Sequence, residues 1–160
     1  MAGFLFTSVA GTLLHFVYDW SGENLFVGLF SAVNESIWEH MKLVYVPMLA
    51  FALFQRRFVS GQNFWCIKLA GILTALILIP VLYYSYTGAL GISADWFNIT
   101  IFFLAAGAAY YLEARAFQRE ASCPIPSGLS FGLILLIGLL FVLFTFYPPG
   151  IPLFADPSGK

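Results

Sequence analysis

Ionisable side chains are concentrated near the start of the chain, in segments that are otherwise apolar. The first 42 residues contain both histidines, His15 and His40, and four of the eight acidic residues. A charged side chain at the centre of a bilayer costs about 2.5–3.5 kcal/mol on insertion scales, so ionisable residues inside membrane segments mark candidate functional sites. If these segments span a membrane, the sequence predicts a polar functional site in its N-terminal part.

The spacing of these residues predicts that they share helix faces. His15 and Asp19 are four residues apart, as are Glu35 and Glu39, and residues four apart are neighbours on a helix surface. At about 100° per residue, five side chains of the second helix fall within an arc of roughly 140°: Asn34, Glu35, Trp38, Glu39 and Lys42. We therefore expect an outward-facing pocket formed by His15, Tyr18, Asp19, Asn34, Glu35 and Glu39, with His40 at its rim.

This pocket has ligands for a divalent transition metal such as zinc. Carboxylates and imidazoles from neighbouring helices suit zinc, iron or manganese, and the predicted ligands are His15, Glu35 and Glu39, with Asp19 orienting His15. A bound ion would polarise a carbonyl or phosphoryl oxygen and activate water. The sequence thus predicts a hydrolase-like membrane enzyme acting on a small molecule or a lipid. Its catalytic residues would be Glu35, Glu39 and His40, and its binding residues would be His15, Tyr18, Asp19, Asn34, Trp38 and Lys42.

Three other interpretations of the same residues stay open. The cluster would be structural, in a non-catalytic membrane subunit, if Glu39 and Lys42 form only an i,i+3 ion pair. Membrane carboxylates near histidines also carry protons or cations, which would make the protein a transporter or channel. Haem ligation by His15 and His40 is a further option. The metal itself stays unassigned, because the motifs of di-iron bundles and zinc proteases are both missing.

The composition places most of the chain in lipid. Of its 160 residues, 61% are hydrophobic and 9% are charged, and the mean hydropathy is +0.88, whereas soluble domains carry about 25% charged residues. A formal net charge of −1 gives no basic surface for nucleic acid. The composition excludes a cytosolic enzyme and a nucleic-acid-binding protein. It predicts an all-α polytopic membrane bundle in contact with the lipid bilayer, with a homo-oligomer as an open alternative to a monomer.

Hydropathy and turn residues divide this single membrane domain, residues 1–160, into about five transmembrane helices. The predicted spans are residues 4–18, 34–55, 64–86, 96–112 and 129–147, to be compared with the roughly 20 apolar residues that cross a bilayer. A straight helix over residues 25–58 would be about 50 Å long. A short re-entrant or interfacial helix is therefore predicted before the second span. The last three spans are expected to form a plain apolar scaffold.

The cations predict the orientation. If there are five spans, five of the seven cations lie on one side: Arg56, Arg57, Lys68, Arg115 and Arg119. The positive-inside rule makes that side cytoplasmic, with the N-terminus inside and the C-terminus outside the plasma membrane. Cys66 and Cys123 would then face a reducing compartment, so both are expected to be free thiols.

Two polar motifs stand out in the first 50 residues: HFVYDWSG at residues 15–22 and NESIWEHMK at residues 34–42. They resemble the N-terminal signature of a family of small bacterial multi-pass membrane proteins of unknown function. The remaining spans resemble that family only in hydropathy. The resemblance implies a multi-helix protein of a bacterial inner membrane and brings no assigned activity.

Overall fold

Every regular element in the described part of the chain, residues 1–61 and 63–156, is helical. The computed structural model has six α-helices and a final 3-10 turn at Pro152–Phe154. The α-helices are α1 (Ala2–Trp20), α2 (Leu25–Gly28), α3 (Ile37–Gln55), α4 (Phe64–Leu90), α5 (Asp95–Gln118) and α6 (Ser127–Phe146). These residues contain no β-strand, which confirms the predicted all-α fold, and α2 is the short helix expected before the second span.

Four of these helices, α3 to α6, are long and apolar enough to cross a membrane by length and composition. Helix α1 has 19 residues but is not among them, because polar residues such as Thr12, His15 and Asp19 lower its mean hydropathy. It still exposes Leu5, Val9 and Leu13 along one face and packs with its other face against α3 and α5. The five expected spans are therefore found as four candidate spans and an accompanying amphipathic helix.

The long helices alternate in direction, which gives the bundle two chemically different ends. Gly3 at the start of α1 lies against Phe51 near the end of α3, and Tyr86 near the end of α4 donates a hydrogen bond to Asn98 near the start of α5. At one end α1 finishes and α3 begins, and His15, Glu35 and His40 lie there. We call it the cluster end. The opposite end is the arginine end, and it carries Arg56, Arg57, Arg115 and Arg119.

Helix α3 lies at the centre and packs against α1, α4, α5 and α6. Its most apolar stretch is 56% buried, compared with 17% for α6, so α6 offers most of its surface to lipid. Val44 and Ala52 of α3, Ala75 of α4 and Ala105 of α5 are completely buried. Small side chains let helix backbones approach closely where lipid tails offer no hydrophobic driving force. The middle of the bundle is therefore a buried, largely apolar core.

Helix α3 begins three residues later than expected. The Ser36 hydroxyl accepts a hydrogen bond from the backbone N–H of Glu39 (3.4 Å) and so caps the helix. A Ser-x-x-Glu sequence is a typical helix start because it satisfies N–H groups that have no partner within the helix. The prediction of a span from residue 34 is therefore wrong at its start, and Asn34 and Glu35 lie in the preceding connection, not on a helical arc.

The two cysteines are bonded to each other. Cys66 near the start of α4 and Cys123 in the α5–α6 connection form a disulfide with their Cα atoms 6.3 Å apart. The prediction of two free thiols is therefore wrong. It was drawn from the compartment alone, whereas antiparallel helices bring these residues, 57 positions apart, to the same end of the bundle.

The fourth predicted span also extends further than expected and contains a buried acid. Helix α5 continues to Gln118, and within it Glu113 forms an ion pair with Lys68 of α4. Both side chains are 3% exposed, and four aromatic rings surround the ammonium group at 5.7–5.8 Å: Phe51, Phe64, Tyr110 and Phe117. The last three spans are therefore not a plain apolar scaffold, because one ion pair joins two of them.

Candidate functional site

Three ionisable side chains converge at the cluster end. Glu35 Oε2 lies 3.8 Å from His15 Nε2 and 3.5 Å from His40 Nε2, and one ligand atom from each residue lies within 4.8 Å of the other two. The side chains are 33%, 47% and 24% exposed for His15, Glu35 and His40, so solutes can reach them. We call these three residues the histidine cluster.

The cap of α3 sets the orientation of Glu35 and His40. The Asn34 side-chain oxygen accepts a hydrogen bond from the N–H of Ser36 (3.0 Å), which folds the connection around Glu35. His40 Nδ1 lies 2.9 Å from the carbonyl oxygen of Ser36. Because a carbonyl oxygen only accepts, Nδ1 carries the proton of this hydrogen bond. A neutral His40 then presents an unprotonated Nε2 to Glu35, as a metal-binding imidazole does.

This arrangement favours a positive charge between His40 and Glu35. In the neutral ring, His40 Nε2 is an acceptor, and the ionised Glu35 oxygen that it faces is also an acceptor. Two acceptors 3.5 Å apart repel each other unless a positive charge lies between or beside them. A proton on His40 or a metal ion shared with His15 would provide that charge.

His15 is held in place through the connection between α2 and α3. The completely buried Ser31 donates to the carbonyl oxygen of Leu14 and accepts from the N–H of Tyr18 (3.2 Å). These two bonds on either side of His15 attach the connection to α1. They thereby fix the position of the last turns of α1 relative to the residues that lead to Glu35.

Glu39 lies apart from the histidine cluster, in a buried network with Lys42. Lys42 Nζ lies 2.6 Å from Glu39 Oε2 and donates to the carbonyl oxygen of Gly28 (2.8 Å) and the hydroxyl of Thr145 (3.0 Å). Thr145 donates in turn to Glu39 Oε1 (2.8 Å), and the N–H of Val33 donates to Glu39 Oε2 (3.1 Å). Both Glu39 oxygens are occupied, so the set brought together is His15, Glu35 and His40, with His40 in the place predicted for Glu39.

The remaining predicted residues lie around these two clusters. Tyr18 packs beside Gly28, Asp19 is exposed near the end of α1, and Asn34 forms the turn described above. Within the described residues no hydrogen bond joins Asp19 to His15. Trp38 packs against the rings of Phe141, Phe144 and Phe154 at tilted or edge-on angles, with centroids 4.5–5.6 Å away. Trp38, Glu39 and Lys42 therefore connect α3 to α6.

A cavity of about 820 Å³ extends from the histidine cluster between α1, α3, α4 and α5. Ligand pockets in proteins are typically about 300–1,000 Å³. Besides the cluster, its polar lining comes from residues that were not predicted as site residues from the sequence: Thr12, Tyr83, Ser93, Asp95 and Asn98. Asp95 and Asn98 stand out in the sequence as polar residues at the start of an apolar span, but their approach to His15 depends on helix packing.

Two imidazoles and one carboxylate are a donor set that fits a divalent transition metal. Zinc sites of hydrolases use His₂Glu with an open position for water, and non-haem iron sites use two histidines and one carboxylate. The three residues here contain the donor atoms of such a set, and the cavity beside them leaves space for a further ligand.

The chain belongs to a family whose members have no assigned activity. The model described as "Family of unknown function (DUF6512)" matches residues 2–160, nearly the whole chain. No curated protein and no solved structure matches it. The family is thus established without an activity, and a function has to be argued from the site.

Proposed function

We propose that this member of a family of unknown function is a membrane protein that binds one divalent transition metal ion through His15, Glu35 and His40. The observation that carries the proposal is the convergence of two imidazoles on one carboxylate at an accessible cavity. The contact of His40 Nδ1 with the carbonyl oxygen of Ser36 supports it, because it leaves His40 Nε2 directed at Glu35, where a shared ion would bind.

The chemistry that we propose for the ion is hydrolysis. An ion with three protein ligands keeps an open position for water or a substrate oxygen, lowers the pKa of bound water and polarises a carbonyl or phosphoryl group. Glu39 does not fit the role of general base because Lys42 and Thr145 occupy its oxygens. Asp95, whose exposed carboxylate lines the same cavity, is the acid–base group that we propose instead.

Transport is the alternative function, and the apolar core of the bundle argues against it because it offers no path for an ion. A proton or cation path would have to connect the histidine cluster with the arginine end, where Lys68 and Glu113 lie. Between them the core is lined by apolar side chains such as Val44, Ile72 and Ala75, each at most 1% exposed. An apolar core is a barrier to ions, so a site that does not continue to the arginine end favours an enzyme.

We further propose that the arginine end faces the cytoplasm of a bacterial cell. Four arginines lie at that end, and positively charged connections are retained on the cytoplasmic side. The histidine cluster would then face the periplasmic side of the inner membrane, with the start of α1 inside and the end of α6 outside.

Metal content of the purified protein tests the proposed function. Elemental mass spectrometry of the detergent-solubilised wild type should find about one transition metal ion per chain, as expected for one three-ligand site. Glu35→Gln and His40→Ala should lose it, because each removes one of three ligands. Glu23→Gln, an exposed acid near the end of α1, is the matched control and should keep it. A metal-free wild type would overturn the metal proposal, and so would equal metal content in all four proteins.

A further inference from the structure

The cavity beside the histidine cluster opens through the side of the bundle. Several residues that line it are also exposed, and the apolar ones lie on two adjacent helices. Phe16 of α1 is 47% exposed, and Ile99 and Phe103 of α5 are 57% and 37% exposed. Helix α5 is a candidate membrane span, so the opening between α1 and α5 lies on a surface that lipid tails would contact.

The exposed apolar surface continues on both sides of this opening. Leu13 of α1 is 49% exposed and Leu104 of α5 is 58% exposed. Exposed apolar surface on a membrane helix is lipid-facing, and the exposed polar residues of the lining are Thr12, Glu35, Ser93 and Asp95. The opening therefore has an apolar part that suits an acyl chain and a polar part that suits a headgroup.

The interior of the cavity is divided by polarity. Its inner wall consists of apolar side chains, namely Ile37, Leu43, Ile79, Ile101 and Phe102. Its ionisable groups are the histidine cluster and Asp95, with the amide of Asn98 on the same lining. A ligand with an acyl chain against the apolar wall and a polar headgroup at the ionisable groups would match both parts of the cavity.

The charge of the loaded cluster selects the headgroup. A divalent ion held by two neutral imidazoles and the Glu35 carboxylate carries a net charge of +1 and keeps an open position, while the Asp95 carboxylate on the same lining stays outside this ligand set. An anionic oxygen would neutralise this charge and occupy the position, as phosphate oxygens do at metal centres.

We propose that the ligand of this cavity is a membrane phospholipid, held with its headgroup phosphate at the histidine cluster and one acyl chain along the apolar wall. The proposal rests on the metal site proposed above for the position of the headgroup. The opening between α1 and α5 supplies the path by which the lipid arrives.

Native mass spectrometry of the detergent-solubilised, metal-loaded protein tests this proposal with three probes. Oleoyl lysophosphatidic acid has a chain and a phosphate, glycerol 3-phosphate has the phosphate alone, and monoolein has the chain alone. The first should bind with a dissociation constant at least about tenfold lower than either of the others, because each fragment forgoes either the burial of many methylenes or the contact with the ion.

Thr12→Trp and Leu13→Trp form the matched pair of variants. Both residues are exposed on α1, so both substitutions are tolerable for the fold, but only Thr12 lines the cavity. Thr12→Trp should weaken lysophosphatidate binding by about tenfold or more, since an indole would fill the opening. Leu13→Trp should bind like the wild type.

Metal content measured on the same samples separates the two proposals. If the metal is bound but glycerol 3-phosphate binds as tightly as lysophosphatidate, or Thr12→Trp binds like the wild type, the lipid proposal is overturned and the metal site stands. If lysophosphatidate binds with the expected preference to a metal-free protein, the chain-binding cavity is supported and the metal proposal fails.

Discussion

Glu39 and His40 are adjacent in sequence but serve different parts of the molecule. Successive helical side chains point about 100° apart, so His40 faces α1 and the cavity while Glu39 faces α6. The direction of Glu39 is fixed by Lys42, one turn later on the same face, and by Thr145. Two ionisable neighbours can therefore have separate roles, one in the proposed site and one in holding the helices together.

The first prediction concerns this buried ion pair. Lys42→Met should lower the free energy of unfolding by about 3–5 kcal/mol, because it leaves the Glu39 carboxylate buried without its partner. The double variant Glu39→Met with Lys42→Met should recover part of this loss, since neither charge then remains. Unfolding in detergent with increasing SDS measures both effects.

Metal content distinguishes a structural role of Glu39 from a ligand role. The double variant should keep the metal at the wild-type level, because its ligands are His15, Glu35 and His40. Loss of the metal from a folded double variant would contradict this assignment and restore Glu39 to the ligand set predicted from sequence.

At the scale of the elements, α4 and α5 approach closely because of a glycine. Gly71 of α4 lies directly against the Glu113 side chain, and a methyl group there would overlap the carboxylate. Glu113 cannot swing away without leaving its ion pair with Lys68. Gly71 is therefore the residue that makes room for a buried acid between two candidate spans.

Gly71→Ala should destabilise the protein by about 1–3 kcal/mol through overpacking. The control is Gly132→Ala in α6, where no atom lies within 4 Å of the new methyl group. That substitution should be neutral or stabilise by up to about 1 kcal/mol, because alanine favours a helix over glycine. Equal effects of the two substitutions in SDS unfolding would show that the contact at Gly71 contributes nothing.

The elements were more predictable than the contacts between them. Apolar runs and turn residues identify the long helices, and the excess length of residues 25–58 predicts α2. The apolar pattern places the start of α3 three residues too early because it does not register a serine cap, although Ser36 and Glu39 carry a sequence signal for it. The pairing of Lys68 with Glu113, and of Cys66 with Cys123, depends on helix neighbours 45 and 57 residues apart, which hydropathy cannot specify.

Only part of the candidate site was predictable, because residue types can be read from the sequence but contacts between helices cannot. Ionisable residues in an apolar setting identify His15, Glu35 and His40 without any knowledge of the packing. Which of Glu39 and His40 joins the cluster depends on which face of α3 meets α1. The hydrophobic pattern of α3 does not reveal that face, because α3 packs against four other helices.

On the scale of the whole molecule, the arginine end gives two opposing indications of its compartment. Arg56, Arg57, Arg115 and Arg119 favour the cytoplasm, whereas the disulfide at the same end is typical of an oxidising compartment. The proposed orientation reconciles them only if Cys66 and Cys123 are a dithiol in the living cell and form the bond on oxidation.

Cysteine labelling in intact cells decides this orientation. With the arginine end inside, a membrane-impermeant maleimide should label Cys123 only after the cells are ruptured. This labelling should need no added reductant, because cytoplasmic thiols are kept reduced. A Glu23→Cys variant that also carries Cys66→Ser and Cys123→Ser places one thiol at the cluster end and should be labelled in intact cells. If an impermeant reductant instead exposes Cys123 to the maleimide in intact cells, the arginine end faces outward. The histidine cluster would then receive its metal and its lipid from the cytoplasmic side.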